Sequence, residues 1–171
     1  MQLFPTSFSV RAAALACVVL LGACSKKNDD PTPTTTNTGV SWTADNTNYT
    51  STVTNVSVQG TDMYVTGVSG ATGSVNNAIS LLVPAATGTY NIVGAPANAN
   101  YAMSYNTNSS TTSSITYAAS SLLSKGSGTV TVTTYSATEV AGTFTFTGDN
   151  VTGSSGTTTK AVTNGKFSIK R

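Results

Sequence analysis

The stretch Val140-Ala141-Gly142-Thr143-Phe144-Thr145-Phe146-Thr147-Gly148 decides the fold class of this 171-residue chain. Its two phenylalanines alternate with threonines, so the apolar side chains recur with a period of two. That is the period of an extended strand, whose successive side chains point to opposite faces. One face is therefore predicted to pack on a core and the other to meet water, as in an antiparallel sheet.

The same alternation continues on both sides of this stretch, throughout residues 40–171. Short polar connections separate the apolar runs. They are Asp45-Asn46-Thr47, Gln59-Gly60-Thr61-Asp62, Ser136-Ala137-Thr138-Glu139 and Asn164-Gly165. Asn-Gly is a strong signal for a two-residue hairpin. We therefore predict an all-β domain, an antiparallel β-sandwich of about nine or ten strands joined mostly as hairpins. An up-and-down β-barrel is the alternative, because both architectures have these cues.

Three local irregularities lead to further predictions. Val53, Val56 and Val58 change phase near Asn55, which predicts a β-bulge. Residues 78–83 are almost continuously apolar, which predicts a central strand covered on both faces. Residues 118–123 allow the one helical turn that we expect in the domain.

The composition points to an extracytoplasmic β protein. Only 8% of the residues are charged, whereas Thr, Ser and Asn (33, 22 and 14 residues) account for 69 of 171. Threonine is β-branched and suits a pleated surface, and its hydroxyl keeps that surface hydrated without charge. The formal net charge is +2, and no basic stripe with interleaved aromatic residues occurs. Nucleic acid is therefore not an expected partner.

The first 23 residues read as a signal peptide. Arg11 precedes a twelve-residue apolar run, residues 12–23. That run is shorter than the roughly 20 residues that a membrane-spanning helix needs, but it fits a signal-peptide core. Its end, Leu21-Gly22-Ala23-Cys24, resembles the bacterial lipobox. The resemblance implies cleavage between Ala23 and Cys24 and attachment of lipid to Cys24, with an ordinary signal peptide ending near Ala23 as the alternative.

Residues 24–39 read as the lipidated cysteine and a flexible polar tether. Cys24 would be the only cysteine of the mature chain, so no disulfide is expected. No Asp follows Cys24 directly, which favours sorting to the outer membrane. The lysines and aspartates of residues 26–30 are similar to the export signal of surface lipoproteins in the Bacteroidetes group, although Asn28 interrupts them. The alternative is that they are only the solvated start of the linker. The tether would span about 20 Å as a coil. We expect a lipid-anchored outer-membrane protein, with exposure at the cell surface as the further expectation.

A series of strand and turn motifs covers most of residues 40–171. It consists of Ser41-Trp42-Thr43-Ala44-Asp45, residues 128–135, residues 140–148 and Thr163-Asn164-Gly165-Lys166-Phe167. The series resembles an uncharacterised family of small Bacteroidetes lipoproteins that share a domain of unknown function. The resemblance implies a fold and a cellular address but no activity and no catalytic residues.

Residues that carry out catalysis are scarce. The chain has no His, and residues 40–171 contain one Glu and three Asp. A Ser or Cys nucleophile lacks the base that would activate it. Glu139 and Asp149 would lie about 30 Å apart at opposite ends of one strand, too far for a glycosidase pair. A zinc site in residues 40–171 would lack the His and Cys ligands that zinc prefers. Asp149-Asn150 offers too few oxygens for a calcium site. We therefore predict no enzyme, no cofactor and no metal site.

Binding is the remaining class of function. Trp42, Tyr101 and Tyr105 are the candidate binding residues, because aromatic rings beside amides and hydroxyls form carbohydrate platforms. The alternative is that these residues belong to the core. We expect a structural, adhesive or glycan- or protein-binding module of the envelope, which predicts exposed aromatic residues or an apolar patch. The alternative is a calycin-like barrel that carries a small apolar ligand, which predicts an unfilled interior lined by Tyr, Ile and Met.

Overall fold

All regular structure in the described part of the protein is β-strand. The computed structural model describes residues 39–70, 76–107, 114–152 and 158–171. Cys24, the predicted signal peptide and most of the tether lie outside these residues. Within these ranges no helix occurs that could span a membrane. The strands are β1 Gly39–Ala44, β2 Thr47–Thr50, β3 Val53–Gln59, β4 Asp62–Ser69, β5 Asn77–Pro84, β6 Gly88–Asn91, β7 Ala102–Thr107, β8 Ile115–Ser120, β9 Ser127–Tyr135, β10 Glu139–Asn150 and β11 Thr159–Lys170.

The eleven strands form one hydrogen-bonded antiparallel sheet that divides at β10. One edge of β10 pairs with β11 along nearly its whole length. The other edge pairs with β9 from Val140 to Thr147, and then with β8 at Asp149 and Asn150. Two runs of strands result, β6-β9-β10-β11-β1-β2 and β8-β7-β5-β4-β3. The predicted all-β antiparallel class is confirmed.

The sheet curls so that the inner faces of the two runs enclose one core. The strands show the expected alternation, and β4 has every second residue buried. Gly67 on β4 lies so close to β1 that an added Cβ would be 2.5 Å from the Cβ of Val40. An added Cβ on Gly128 of β9 would likewise meet the Met103 side chain of β7. These glycines let the two runs approach each other.

Three of the predicted turns are confirmed as hairpins. Asp45 and Asn46 join β1 to β2 with φ of 50° and 59°, the left-handed conformation that a type I′ turn requires at both positions. Gly60, with φ of 62°, begins the two-residue turn between β3 and β4. In the turn between β9 and β10, the Ser136 N–H donates to the Glu139 carbonyl. The pattern missed β2, since Tyr49 is its only apolar residue.

The hairpin predicted at Asn164-Gly165 is wrong. Both residues lie inside β11, which runs unbroken from Thr159 to Lys170. Phe144 pairs with Gly165, but Phe146 pairs with Val162, so β11 carries one extra residue here and bulges. Asn164 has φ of 53°. Asparagine tolerates this left-handed conformation in a bulge as it does in a turn, so the dipeptide alone does not distinguish the two.

The bulge predicted near Asn55 is also wrong. β3 pairs with β4 residue for residue, with no shift of register. Val53 points outward and is 63% exposed, whereas Val56 and Val58 pack against the core. The change of phase therefore reflects one valine on the solvent face.

Two other local predictions need correction. Residues 78–83 lie in β5, but Ser80 and Leu82 are half-buried on its outer face, so β5 is not covered on both faces. Residues 118–123 form no helix, because β8 continues to Ser120 and a turn follows. The turn becomes part of the candidate site.

Candidate functional site

Two of the three predicted binding residues lie in the core. Trp42 is 1% exposed, and its ring stacks on Tyr49 with centroids 5.4 Å apart. Tyr105 is equally buried, and its hydroxyl donates to the Asn77 side-chain oxygen at 3.2 Å. The buried indole N–H of Trp42 has no acceptor among the described residues. Neither ring forms an exposed platform, so the core alternative holds for both.

Tyr101 is half-buried and has a structural role. Its ring meets that of Tyr90 edge to face, with centroids 5.4 Å apart. Its backbone N–H donates to the Ser121 hydroxyl at 3.0 Å, and its carbonyl accepts from the Ser121 N–H at 3.0 Å. Tyr101 therefore holds a neighbouring turn in place.

An ion pair lies near the buried tyrosines. The Lys160 ammonium binds the Asp45 carboxylate and lies 5.3 Å from the centroid of the Tyr117 ring. The hydrogen bond to Asp45 raises the pKa of Lys160. Burial raises the pKa of Tyr105, and contact with Tyr49 adds to the shift. The ion pair ties the turn between β1 and β2 to β11, so this cluster has a structural role.

The acidic residues do not assemble into a reactive site. Glu139 and Asp149 lie near the two ends of β10, as expected. The Glu139 carboxylate accepts from the Ser168 hydroxyl, and the Asp149 carboxylate accepts from the Gly126 N–H at 2.9 Å. Across the four described ranges, no three residues of the types His, Cys, Asp and Glu come together as metal ligands would.

The candidate site is a groove between two loops, which we call the loop groove. It lies between residues 92–99, after β6, and residues 120–126, between β8 and β9, and has a volume of about 470 Å³. Val93, Leu122 and Leu123 at this place are 69%, 60% and 64% exposed. They are three of the six large apolar residues exposed in the described part of the chain. Such clustering marks interaction sites, since apolar residues scattered singly need no explanation.

Ser121 ties the two sides of the groove together. Its hydroxyl donates to the Ala99 carbonyl at 2.7 Å and accepts from the Tyr101 N–H. Its own N–H donates to the Tyr101 carbonyl. Because one serine joins the end of the first loop to the start of the second, the groove is held open before any ligand binds.

Further hydrogen bonds close the turn that carries the two leucines. Ser120 and Lys125 exchange two backbone hydrogen bonds, at 2.8 and 3.2 Å. The Leu123 N–H donates to the Ser120 hydroxyl at 3.4 Å. Ser124 and Gly126 take positive φ, of 50° and 60°, which reverses the chain. The narrow neck between Ser120 and Lys125 leaves the leucine side chains directed away from the core.

The chemistry of the groove suits binding. Ile92, Val93 and Leu122 line it together with alanines and Pro96, and Asn98 and three serines add polar groups. No aromatic ring takes part. Lys125 is the only charged residue in the two segments. The sequence patterns did not lead us to predict this site, although a Leu-Leu pair between serines and next to a lysine was a usable signal for an exposed turn.

The core of the described domain is one continuous cluster of buried side chains. Its largest fully buried side chains include Trp42, Tyr105, Phe144, Phe167 and Met103. Searches of protein-family models, curated proteins and solved structures find no match to this chain.

Proposed function

We propose that the protein is a lipid-anchored lipoprotein of the outer membrane whose β domain is a non-catalytic binding module. The loop groove is the binding site, and its partner is apolar where it makes contact. The lipobox-like Leu21-Gly22-Ala23-Cys24 supports the anchor. The resemblance to small Bacteroidetes lipoproteins supports the same address, with the domain at the cell surface.

The observation that carries the proposal is the exposure of Val93, Leu122 and Leu123 on loops that are already ordered. Fully burying one such side chain stabilises a complex by about 1.5–3 kcal/mol. Ordering a mobile loop would cost part of this gain, and the hydrogen bonds of Ser121 remove that cost in advance. Exposed aliphatic residues on rigid loops are therefore more consistent with binding than with a solvent-exposed turn.

Two other binding modes have less support. A glycan platform needs an exposed ring, and no aromatic residue lines the groove. A calycin-like carrier needs interior space for its ligand, and the packed core argues against it. The loop groove therefore favours an apolar partner at the surface of the domain.

Photo-crosslinking in cells tests the site. A crosslinking amino acid in place of Leu122 should capture a partner. The same residue in place of Val53, which is 63% exposed on β3, is the matched control and should capture none. Identical products at both positions, or none at Leu122, would contradict the proposal.

Fractionation tests the anchor. Cys24→Ala should release the protein from the membrane fraction and abolish fatty-acid labelling, and persistent labelling would show that Cys24 is not the lipidated residue. Protease added to intact cells should remove the domain if it faces outward. Complete protection would instead place it on the periplasmic side.

A further inference from the structure

We propose that the loop groove binds a single fatty acid, with the aliphatic chain in the groove and the carboxylate at Lys125. This inference rests on the proposed function and names the chemistry of the ligand. The ligand is one fatty-acid molecule, not a micelle or a bilayer, and it is held at the surface of the domain.

The shape and lining of the groove fit an aliphatic chain. Its volume of about 470 Å³ lies in the range of small-ligand sites, roughly 300–1,000 Å³. Ile92, Val93, Pro96 and Leu122 provide aliphatic contacts. Sugars and aromatic ligands are commonly held by stacking on rings, and here no ring is available. A flexible hydrocarbon chain needs only apolar surface.

The charge at the groove fits an acidic head group. Lys125 is exposed, lies between the groove residues Ser124 and Gly126, and belongs to no ion pair within the described ranges. The acidic residue that contacts this segment is Asp149. Its carboxylate accepts from the Gly126 N–H and forms no ion pair with Lys125 within the described ranges. The exposed Ser124 hydroxyl can donate to a carboxylate as well. An anion therefore finds a cation and a hydroxyl donor on the turn beside the groove.

The composition and size of the site favour one chain over a protein or a bilayer. Protein interfaces bury about 800 Å² on each partner and are enriched in aromatic residues, Met and Arg. The loop groove has aliphatic residues, serines and one asparagine at its contact surface, and no aromatic residue, Met or Arg. A bilayer would meet the tips of Leu122 and Leu123 but would not fill the concave space between the loops. A single chain fills that space.

Calorimetric titration of the whole chain carrying Cys24→Ala tests the inference, since this variant has no acyl chain of its own. The ligands are dodecanoate, below its micelle-forming concentration, and the uncharged dodecanol. Dodecanoate should bind saturably at one site. Leu122→Ser combined with Val93→Ser should weaken binding about tenfold or more, and Val53→Ser, the matched control, should leave it unchanged.

Lys125→Gln tests the contact with the head group. It should weaken dodecanoate binding by up to about fivefold, the range for an exposed ion pair, and leave dodecanol binding unchanged. Equal loss for both ligands would refute the role of Lys125.

Several results would overturn the inference. They are the absence of saturable dodecanoate binding, an equal effect of Val53→Ser, and binding to phosphatidylglycerol vesicles without binding to the monomer. If crosslinking at Leu122 captures a protein while dodecanoate does not bind, the fatty-acid inference fails and the proposed function stands. If dodecanoate binds and crosslinking in cells captures nothing at Leu122, the groove binds a fatty acid as inferred, but the proposed binding of a cellular partner there fails.

Discussion

Gly67 provides a direct test of how the two runs of the sheet pack. An alanine Cβ at this position would lie 2.5 Å from the Cβ of Val40, and Val40 is fully buried on β1. Neither residue can move away easily, because both lie on paired strands. Overpacking of this kind costs about 1–3 kcal/mol, so Gly67→Ala should lower the free energy of unfolding by about that amount.

A double-mutant cycle separates this contact from other effects of the substitution. Val40→Gly removes the Cβ that an alanine at position 67 would meet, leaves a cavity and should cost about 3 kcal/mol. In the double variant the methyl group introduced by Gly67→Ala occupies part of that cavity, so the crowding is relieved. The double variant should be about as stable as Val40→Gly alone, giving a coupling energy of about 1–3 kcal/mol, which is larger than the departures from additivity seen for distant sites.

Urea unfolding monitored by the fluorescence of Trp42 measures these free energies, with unchanged slopes as the check that only stability has changed. Val53→Ala is the matched control, since Val53 is 63% exposed and its truncation should change stability by less than about 0.5 kcal/mol. If Gly67→Ala is as stable as the wild type, or if the two losses simply add, β1 does not pack on β4 at this point.

Three further predictions concern single side chains. Burial raises the pKa of Tyr105 above about 10, its value in the unfolded chain. The stability that the protonated side chain contributes is therefore fully present below about pH 10 and is lost as the pH rises beyond it. Urea midpoints measured from pH 8 to 12 should fall more steeply in the wild type than in Tyr105→Phe, and parallel curves would exclude this linkage. Asp45→Asn removes the ion pair with Lys160 and should cost at most about 1 kcal/mol, and the difference in thermal stability should shrink in 1 M salt, roughly the ionic strength that screens exposed pairs. Asn164→Val places a β-branched residue at φ of 53° and should lower the free energy of unfolding by about 1–2 kcal/mol. Asn164→Gly should lower it less, because glycine adopts this conformation without strain. Equal losses for the two variants would argue against the bulge.

The fold class could be predicted because strand alternation is local. Phe144 and Phe146 show which face of β10 is buried without any knowledge of its neighbours, and the same is true of Trp42 and Ala44 on β1. The turn at Asp45 is also local, since two successive residues that tolerate positive φ are enough to form it.

The partners of each strand could not be predicted, because pairing depends on residues far apart in the chain. Asn164-Gly165 reads as a turn in isolation, and only its position between β10 and β1 makes it a bulge. The division of the β10 edge between β8 and β9 depends likewise on long-range contacts.

The candidate site shows the same distinction. By itself the sequence determined an all-β domain with few charges and no His, and a lipobox-like motif ending at Cys24. Only the tertiary structure decided that Trp42 and Tyr105 fill the core and that Leu122 and Leu123 face solvent. The physical reason is that an alternating pattern shows which side of a strand is apolar, whereas the exposure of a residue in a turn depends on what distant segments leave uncovered. Here the segment after β6 reaches the turn after β8, and the hydrogen bonds of Ser121 hold the groove between them.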